Sequence, residues 1–250
     1  MSLSKIQKTS PLVHCITNYV VANFTANGLL AIGASPVMAD EASEVEEMVS
    51  NASALLLNIG TINSRTKEAM ILAGRKANEK EIPVVLDPVG VGATSFRKQA
   101  VQELLEAVKF DLIRCNAGEL ATIAGVKWQV KGVDSGEGEI DVEQVAKQVA
   151  QQYHCLVIVT GPSDLLTNGE NTVSVAGGHE LMTQVTGTGC LLSAVCSAAL
   201  AVEGDSLSTL RDVLQDYKTV AERAAAATNS LGSFQVEVLD ALHEISRGES

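Results

Sequence analysis

The chain has 250 residues and a mass of 26.2 kDa, 46% hydrophobic and 19% charged, which supplies a sizeable core and excludes intrinsic disorder. Eighteen Lys and Arg against 30 Asp and Glu give a net charge of −12 and a pI near 4.8, arguing against a nucleic-acid partner. An anionic substrate stays compatible with that total where backbone N–H groups and a metal ion supply local positive potential.

In chain order, compact aliphatic blocks alternate with longer periodic stretches. A strand is expected at 12–17, helices at 20–32 and 43–49, and a strand at 54–59. A helix at 64–79, a strand at 83–86, a helix at 96–108 and a strand at 112–115 come next. Helices at 119–124 and 142–152 then precede a strand at 156–160. Continuous apolar strands between amphipathic helices predict a parallel sheet covered on both faces. Residues 164–176 read as two extended runs around Asn168-Gly169, a hairpin signal that adds an antiparallel edge. From 187 to 247 three helices follow with no strand between them, and 224–227 offer a small-residue face for close packing. Residues 132–139 (G-V-D-S-G-E-G-E) resemble a linker too short to divide the chain, so a surface loop and one domain spanning 1–250 are expected.

Cys15, Cys115, Cys155, Cys190 and Cys196 are an odd set with no C-x-x-C pair, so they read as reduced thiols of a cytoplasmic protein, not a disulfide framework or zinc site. Lys5 and Lys8 have no apolar stretch behind them, so no signal peptide is expected. The most apolar segment, 191–202, is shorter than the roughly 20 residues of a membrane span. Ser193 and Ser197 interrupt it, which makes it a core helix and no membrane partner.

Ligands of open α/β sheets gather at the carboxyl ends of strands. Here those ends are rich in Asn, Asp, Thr and Gly: residues 14–18, 58–61, 87–92, 114–116 and 160–162. The most pointed segment is V-T-G-T-G-C at 185–190, opening the apolar helix. Closely spaced Gly187 and Gly189 let backbone approach a ligand, and the helix start, with Thr188, presents unpaired N–H groups, together an anion hole for phosphate. A tight turn with a small helix cap fits the same pattern. There is no Gly-Lys dipeptide, which excludes a Walker loop.

Cys190 lies in the first turn of that helix. The partial positive charge there is expected to lower its pKa and make it a weak general base toward an alcohol, the alternative being an inert small hydrophobe. Asp87 and Glu119 are the hard oxygen ligands that a hydrated Mg²⁺ uses, although Glu119 also suits the first turn of its own helix. Arg114, at a strand end, is a partner for a nucleotide phosphate. His14 either lines the site or is a hydrogen-bonded strand residue.

Taken together, the motifs resemble those of the hydroxyethylthiazole kinase family. They are H-C-I-T-N at 14–18, G-A-S-P-V-M at 33–38, D-P-V-G-V-G-A at 87–93, R-C-N-A-G-E at 114–119, V-T-G at 159–161 and G-T-G-C at 187–190. The resemblance implies a ribokinase-like three-layer α/β/α sandwich, mostly parallel with an antiparallel edge hairpin. It also implies transfer of the ATP γ-phosphoryl group to the alcohol of 4-methyl-5-(2-hydroxyethyl)thiazole with Mg²⁺ as cofactor. By resemblance, Met38, Gly187 and Asn18 would contact the thiazole, and Arg114, Asn116, Thr160, Thr188 and Gly189 would bind ATP. Asp87 and Glu119 would serve the metal, and Cys190 would stand where most ribokinase-like relatives keep an Asp base. A homotrimer with sites between subunits is implied too, so that Asn18 and Met38 would face a neighbour's site. Cys115 and Gly118 depart from the family's common R-G-N-A-S-E, a Cys that narrows the phosphate region if it points inward and a lost hydroxyl cap. Within the same fold, a hydroxymethylpyrimidine kinase, a nicotinamide-nucleotide-hydrate dehydratase and a catalytically silent nucleotide binder are the alternatives.

Overall fold

The computed structural model describes residues 3–126 and 141–248, so the loop expected at 132–139 lies outside the described residues. From the N-terminus run α1 (Leu3–Thr9), β1 (Leu12–Ile16), α2 (Ala22–Ala31), β2 (Ser35–Val37), α3 (Val45–Ser50), β3 (Ala54–Asn58) and α4 (Ser64–Glu79). Then come β4 (Val84–Asp87), α5 (Ser95–Ala107), β5 (Leu112–Asn116), α6 (Ala117–Ile123), α7 (Val142–Tyr153) and β6 (Leu156–Thr160). The hairpin is β7 (Ser163–Thr167) and β8 (Thr172–Ala176), followed by a 3₁₀ turn (Glu180–Thr183), α8 (Thr188–Leu200), α9 (Ser206–Ala227) and α10 (Leu231–Arg247).

The eight strands form one sheet in the order β2-β1-β3-β4-β5-β6-β7-β8. Pairing is parallel from β2 to β6 and antiparallel where the hairpin joins at β6. The expected mostly parallel sheet with its antiparallel edge is what forms. Three elements were not anticipated, the 3₁₀ turn among them. Helix α1 has only Leu3 and Ile6 to bury, and does so against the core shared with α10. Strand β2 is three residues long and contains Pro36, which suits an edge position because proline has no N–H to donate.

Side chains alternate across the sheet with a period of two. Leu56, Val85, Leu112 and Ile158 enter one core with α1, α2, α8, α9 and α10. Leu55, Leu57, Val84, Leu86, Ile113 and Val157 enter the other with α3 to α7. This is the α/β/α sandwich. Helix α8 is buried almost throughout and packs on β1, β3 and β4 as well as on α2 and α9, so its first turn is fixed relative to the strand ends.

The α10 layer is anchored by Phe234, fully buried in the first core. Phe234→Ala should lower the urea-measured unfolding free energy by about 3–5 kcal/mol, the cost of an aromatic-sized cavity. A loss under 1 kcal/mol would mean that this layer collapses onto the gap or contributes little.

Candidate active site

The alternation that builds the α8-side core also builds the site. Two residues beyond Leu56, Val85, Leu112 and Ile158, on the same face, stand Asn58, Asp87, Arg114 and Thr160. Register pairs Asn58 with Asp87 across β3 and β4, and Asn116 with Thr160 across β5 and β6. Asp87 is fully buried and one carboxylate oxygen accepts hydrogen bonds from Asn58 Nδ2 at 2.7 Å and from Ser193 of α8 at 2.8 Å. Its other oxygen has no hydrogen bond and lies 3.8 Å from Arg114 Nη1. Burial pushes the Asp87 carboxyl up to about 6 against the pull of Arg114, Ser193 and Asn58, which leaves it ionised at neutral pH.

Arg114 donates from Nη2 to Thr160 Oγ1 at 2.6 Å, and that hydroxyl donates onward to Cys115 O at 3.3 Å. Burial opposes the guanidinium charge, but Asp87 and Glu119 outweigh it and hold the pKa above the ordinary arginine range. The guanidinium lies against Gly189, where an added Cβ would meet Nη1 and Nη2 at 2.8 Å. Glycine at 189 is what lets the cation touch the opening turn of α8. Gly187 caps that helix at φ +98, a conformation that favours glycine. The amides of Thr188, Gly189 and Cys190 follow it with no carbonyl one turn earlier to bond.

These groups open on a cavity of about 880 Å³ whose wall includes Arg114, Asn116, Glu119, Thr160 and residues 185–190. Eight of the eleven residues singled out from the sequence therefore share one wall. Asp87 does not; it stands behind Arg114 and fixes it. Asn18 faces its own chain's site, donating from Nδ2 to Asn58 Oδ1 at 2.8 Å and to Cys190 Sγ at 3.6 Å. Met38 lines a separate cavity of about 200 Å³ with Thr17, Tyr19 and Asn58. Asn58 lines this smaller cavity, Cys190 lines the larger one, and Asn18 bonds to both. His14 is buried and bonded through Nε2 to Ala39 O at 2.8 Å, which ties β1 to the segment after Met38.

One expectation is overturned. The first turn of a helix favours a lowered pKa at Cys190; instead burial, reinforced by Asp87, pushes it up to about 11. The side chain is partly enclosed between strand ends and helix, so desolvation outweighs the two asparagine amides and Arg114.

Glu119 uses its two oxygens to accept Gly90 N and Asn116 N, each at 2.9 Å, the second as half of a capping box with Asn116. Among the described residues no group of three or more His, Cys, Asp or Glu could hold a metal alone. Glu119, on the cavity wall, nonetheless fits a hydrated Mg²⁺, which takes one or two carboxylates and the rest from water and phosphate, and the unpartnered oxygen of buried Asp87 suits one of those waters.

The sequence profile of the hydroxyethylthiazole kinase family matches residues 3–248. The hydroxyethylthiazole kinase of Lysinibacillus sphaericus is 58% identical over 247 residues, 99% of this chain and 97% of that relative. The chain belongs to the hydroxyethylthiazole kinase family. The solved structure of the Pyrococcus horikoshii hydroxyethylthiazole kinase superposes with a TM-score of 0.89 at 39% identity, covering 99% of this chain and 93% of that one. A ribokinase-like superfamily protein from Enterococcus faecalis, 10% identical, shares the fold with a TM-score of 0.73 over 99% of this chain and 89% of its own.

Both departures from the family's R-G-N-A-S-E prove harmless to the geometry. Cys115 points into the opposite core, away from the cavity, and helix α6 takes its cap from Asn116 without help from position 118. The sequence had shown Asn58 only as a strand end and Ser193 only as an interruption in an apolar helix. The signal was there: Ser193 stands three residues after Cys190, on nearly the same helical face.

Cys190 is the one cysteine that is not buried, so alkylation reports on it first. With a raised pKa, its thiolate fraction should climb about tenfold per pH unit. Iodoacetamide labelling followed by mass spectrometry should therefore accelerate continuously from pH 7 to pH 10. A plateau reached below pH 8.5 would contradict the assignment.

Proposed function

We propose that this member of the family transfers the γ-phosphoryl group of ATP to the hydroxyl of 4-methyl-5-(2-hydroxyethyl)thiazole. The observation that carries the reading is the meeting of Arg114 with the opening amides of α8 on the wall of one cavity. A guanidinium and several aligned N–H groups are a phosphate cradle, and their charge concentrates in a chain that is otherwise acidic. Arg114, Thr160 and Asn116 would bind the nucleotide, and the amides of Thr188, Gly189 and Cys190 would stabilise charge on the transferring group. The smaller cavity beside Met38 suits a small heteroaromatic ring whose alcohol arm reaches past Asn18 to Cys190, with Gly187 on the wall of the larger cavity.

In this reading the alcohol oxygen bonds to the γ-phosphorus as the bond to the β–γ bridging oxygen breaks, and ADP leaves. Asp87 and Glu119 are the residues that would hold Mg²⁺, which when bound neutralises phosphate charge. With its pKa pushed up to about 11, Cys190 is almost entirely the neutral thiol at pH 7, so it is a poor proton acceptor. A loose transition state tolerates that, because the nucleophile loses its proton late, to an oxygen of the transferred phosphoryl group or to the minor thiolate form of Cys190, and positioning supplies most of the acceleration.

Two further features support a shared site and a cytoplasmic setting. Tyr19, on the rim of the smaller cavity, is 81% exposed, with Val20 and Leu30 also exposed on α2 and its approach. A second copy of the chain would cover them, in keeping with a trimer that completes the acceptor site. All five cysteines are free thiols, as a reducing compartment maintains them.

Purified protein with MgATP should release ADP with the thiazole alcohol and far less with the hydroxymethylpyrimidine alcohol in a coupled assay. The reverse preference, or ADP release with neither, would overturn the reading. Cys190→Ala should lower kcat by about tenfold, below the usual range for a strong general base. Cys190→Asp, ionised at neutral pH, should equal or exceed the wild type. A Cys190→Ala enzyme turning over at the wild-type rate would remove the cysteine from the proton path.

A further inference from the structure

The nucleotide side of the larger cavity is not walled by the sheet alone. Two loops form it: the turn from β6 into β7, with Thr160, Gly161 and Asp164, and the Gly177-Gly178 segment after β8. Both loops are fastened to one face of α9. Lys218 Nζ lies 3.0 Å from Asp164 Oδ1 and donates to Gly161 O at 3.2 Å. Asp164 Oδ1 also accepts Gly161 N at 3.0 Å, so the ammonium and the carboxylate close a ring around one residue, Gly161. One turn further, Glu222 Oε1 accepts Gly178 N at 2.8 Å. The second loop rests on the lysine stem, where a Cβ on Gly178 would come within 2.9 Å of Lys218 Cδ.

This is unlike the surface pairs of the molecule. Both side chains are largely enclosed, Lys218 at 12% and Asp164 at 5% exposure, whereas Arg65 with Asp40 stands at 53% and 43%. An enclosed pair pins backbone in a way that an exposed, solvent-screened pair does not. Tyr217, the residue before Lys218, donates from its hydroxyl to Thr188 O at 2.6 Å. Helix α9 therefore holds the opening turn of α8 and both loops opposite it through neighbouring side chains.

We infer that Lys218 and Asp164 form a positioning pair that sets the nucleotide affinity of this site by fixing the Thr160-Gly161 wall of the cavity. The inference rests on the proposal that ATP occupies this cavity. Two of the three donors of Lys218 are spent on Asp164 and Gly161. Its action is therefore on the loop, and the loop carries Thr160, the partner of Arg114.

The test combines calorimetric titration of ADP with MgCl₂, without acceptor, and steady-state kinetics on Lys218→Met, Lys218→Arg, Asp164→Asn and the Lys218→Met/Asp164→Asn double variant. Lys218→Met and Asp164→Asn should each raise the ADP Kd and the ATP KM by about tenfold, while kcat and the acceptor KM stay within about twofold. The double variant should match either single one, because both remove the same link. Lys218→Arg, which keeps charge and donors, should recover most of the affinity.

Unchanged ADP binding in both single variants would overturn the inference. So would equal losses in kcat and acceptor KM, the mark of general damage. Asp164→Asn binding ADP as tightly as wild type or more so would show the lysine acting directly on phosphate, which also overturns it. Wild-type protein that takes no ADP would fail the proposed function first, and the inference with it, before any variant is compared.

Discussion

The site depends on a charge pair that the fold places out of water. Asp87 ends β4 and Arg114 lies midway along neighbouring β5, both on the α8 face, the carboxylate fully buried and the guanidinium largely so. Burying ions costs several kcal/mol each unless geometry and hydrogen bonds compensate. Compensation here is specific: Asn58 and Ser193 hold one oxygen of Asp87, and Thr160 takes one arm of Arg114. What is left over is informative. Asp87 Oδ1 and Arg114 Nε are among the buried side-chain atoms of the described residues without a hydrogen-bond partner. Unsatisfied buried polar atoms are rare in folded proteins, and two on one ion pair support a place where a ligand oxygen accepts from Arg114 and a water or cation meets Asp87.

That constraint reaches outward through few links. Arg114 can touch α8 only because residue 189 has no side chain, and α8 holds its place because it is buried almost throughout. Asn58 connects Asp87 to Asn18, and Asn18 connects to Cys190, so one hydrogen-bonded chain runs from the buried pair to linings of both cavities. In a molecule of net charge −12 an anionic nucleotide needs such a local arrangement, since the overall field repels it.

Much of this was legible in the sequence where the signal is local. Helix α4 runs from Ser64 to Glu79 as its pattern indicates, because Asn63 and Thr66 form a capping box at its start. The hairpin follows from Asn168-Gly169, where Asn168 Oδ1 accepts the N–H groups of Glu170 and Asn171. Strand ends rich in Asn, Asp and Thr marked the functional edge because backbone alternation continues past the apolar residues. Contacts between distant segments were not legible. Ser193 meets Asp87 across 106 positions, and Lys218 meets Gly161 across 57. Cys190 shows the limit of local reasoning most clearly. Its place in a helical first turn favours the thiolate, yet the packing that brings it against Asp87 and the strand ends reverses the sign. The consequence is chemical: a kinase with a weak acceptor for the proton must rely on holding phosphate and alcohol in place.

The most direct measurement is a crystal structure of the protein soaked with a non-hydrolysable ATP analogue and the thiazole alcohol. The account expects the terminal phosphate within about 3 Å of the Gly189 and Cys190 amides, with the Arg114 guanidinium on the same phosphate chain. The alcohol should lie on the Met38 side of Asn18. A triphosphate whose terminal group lies out of reach of those amides, or an Arg114 that keeps only its bonds to Thr160 and Asp87, would contradict it.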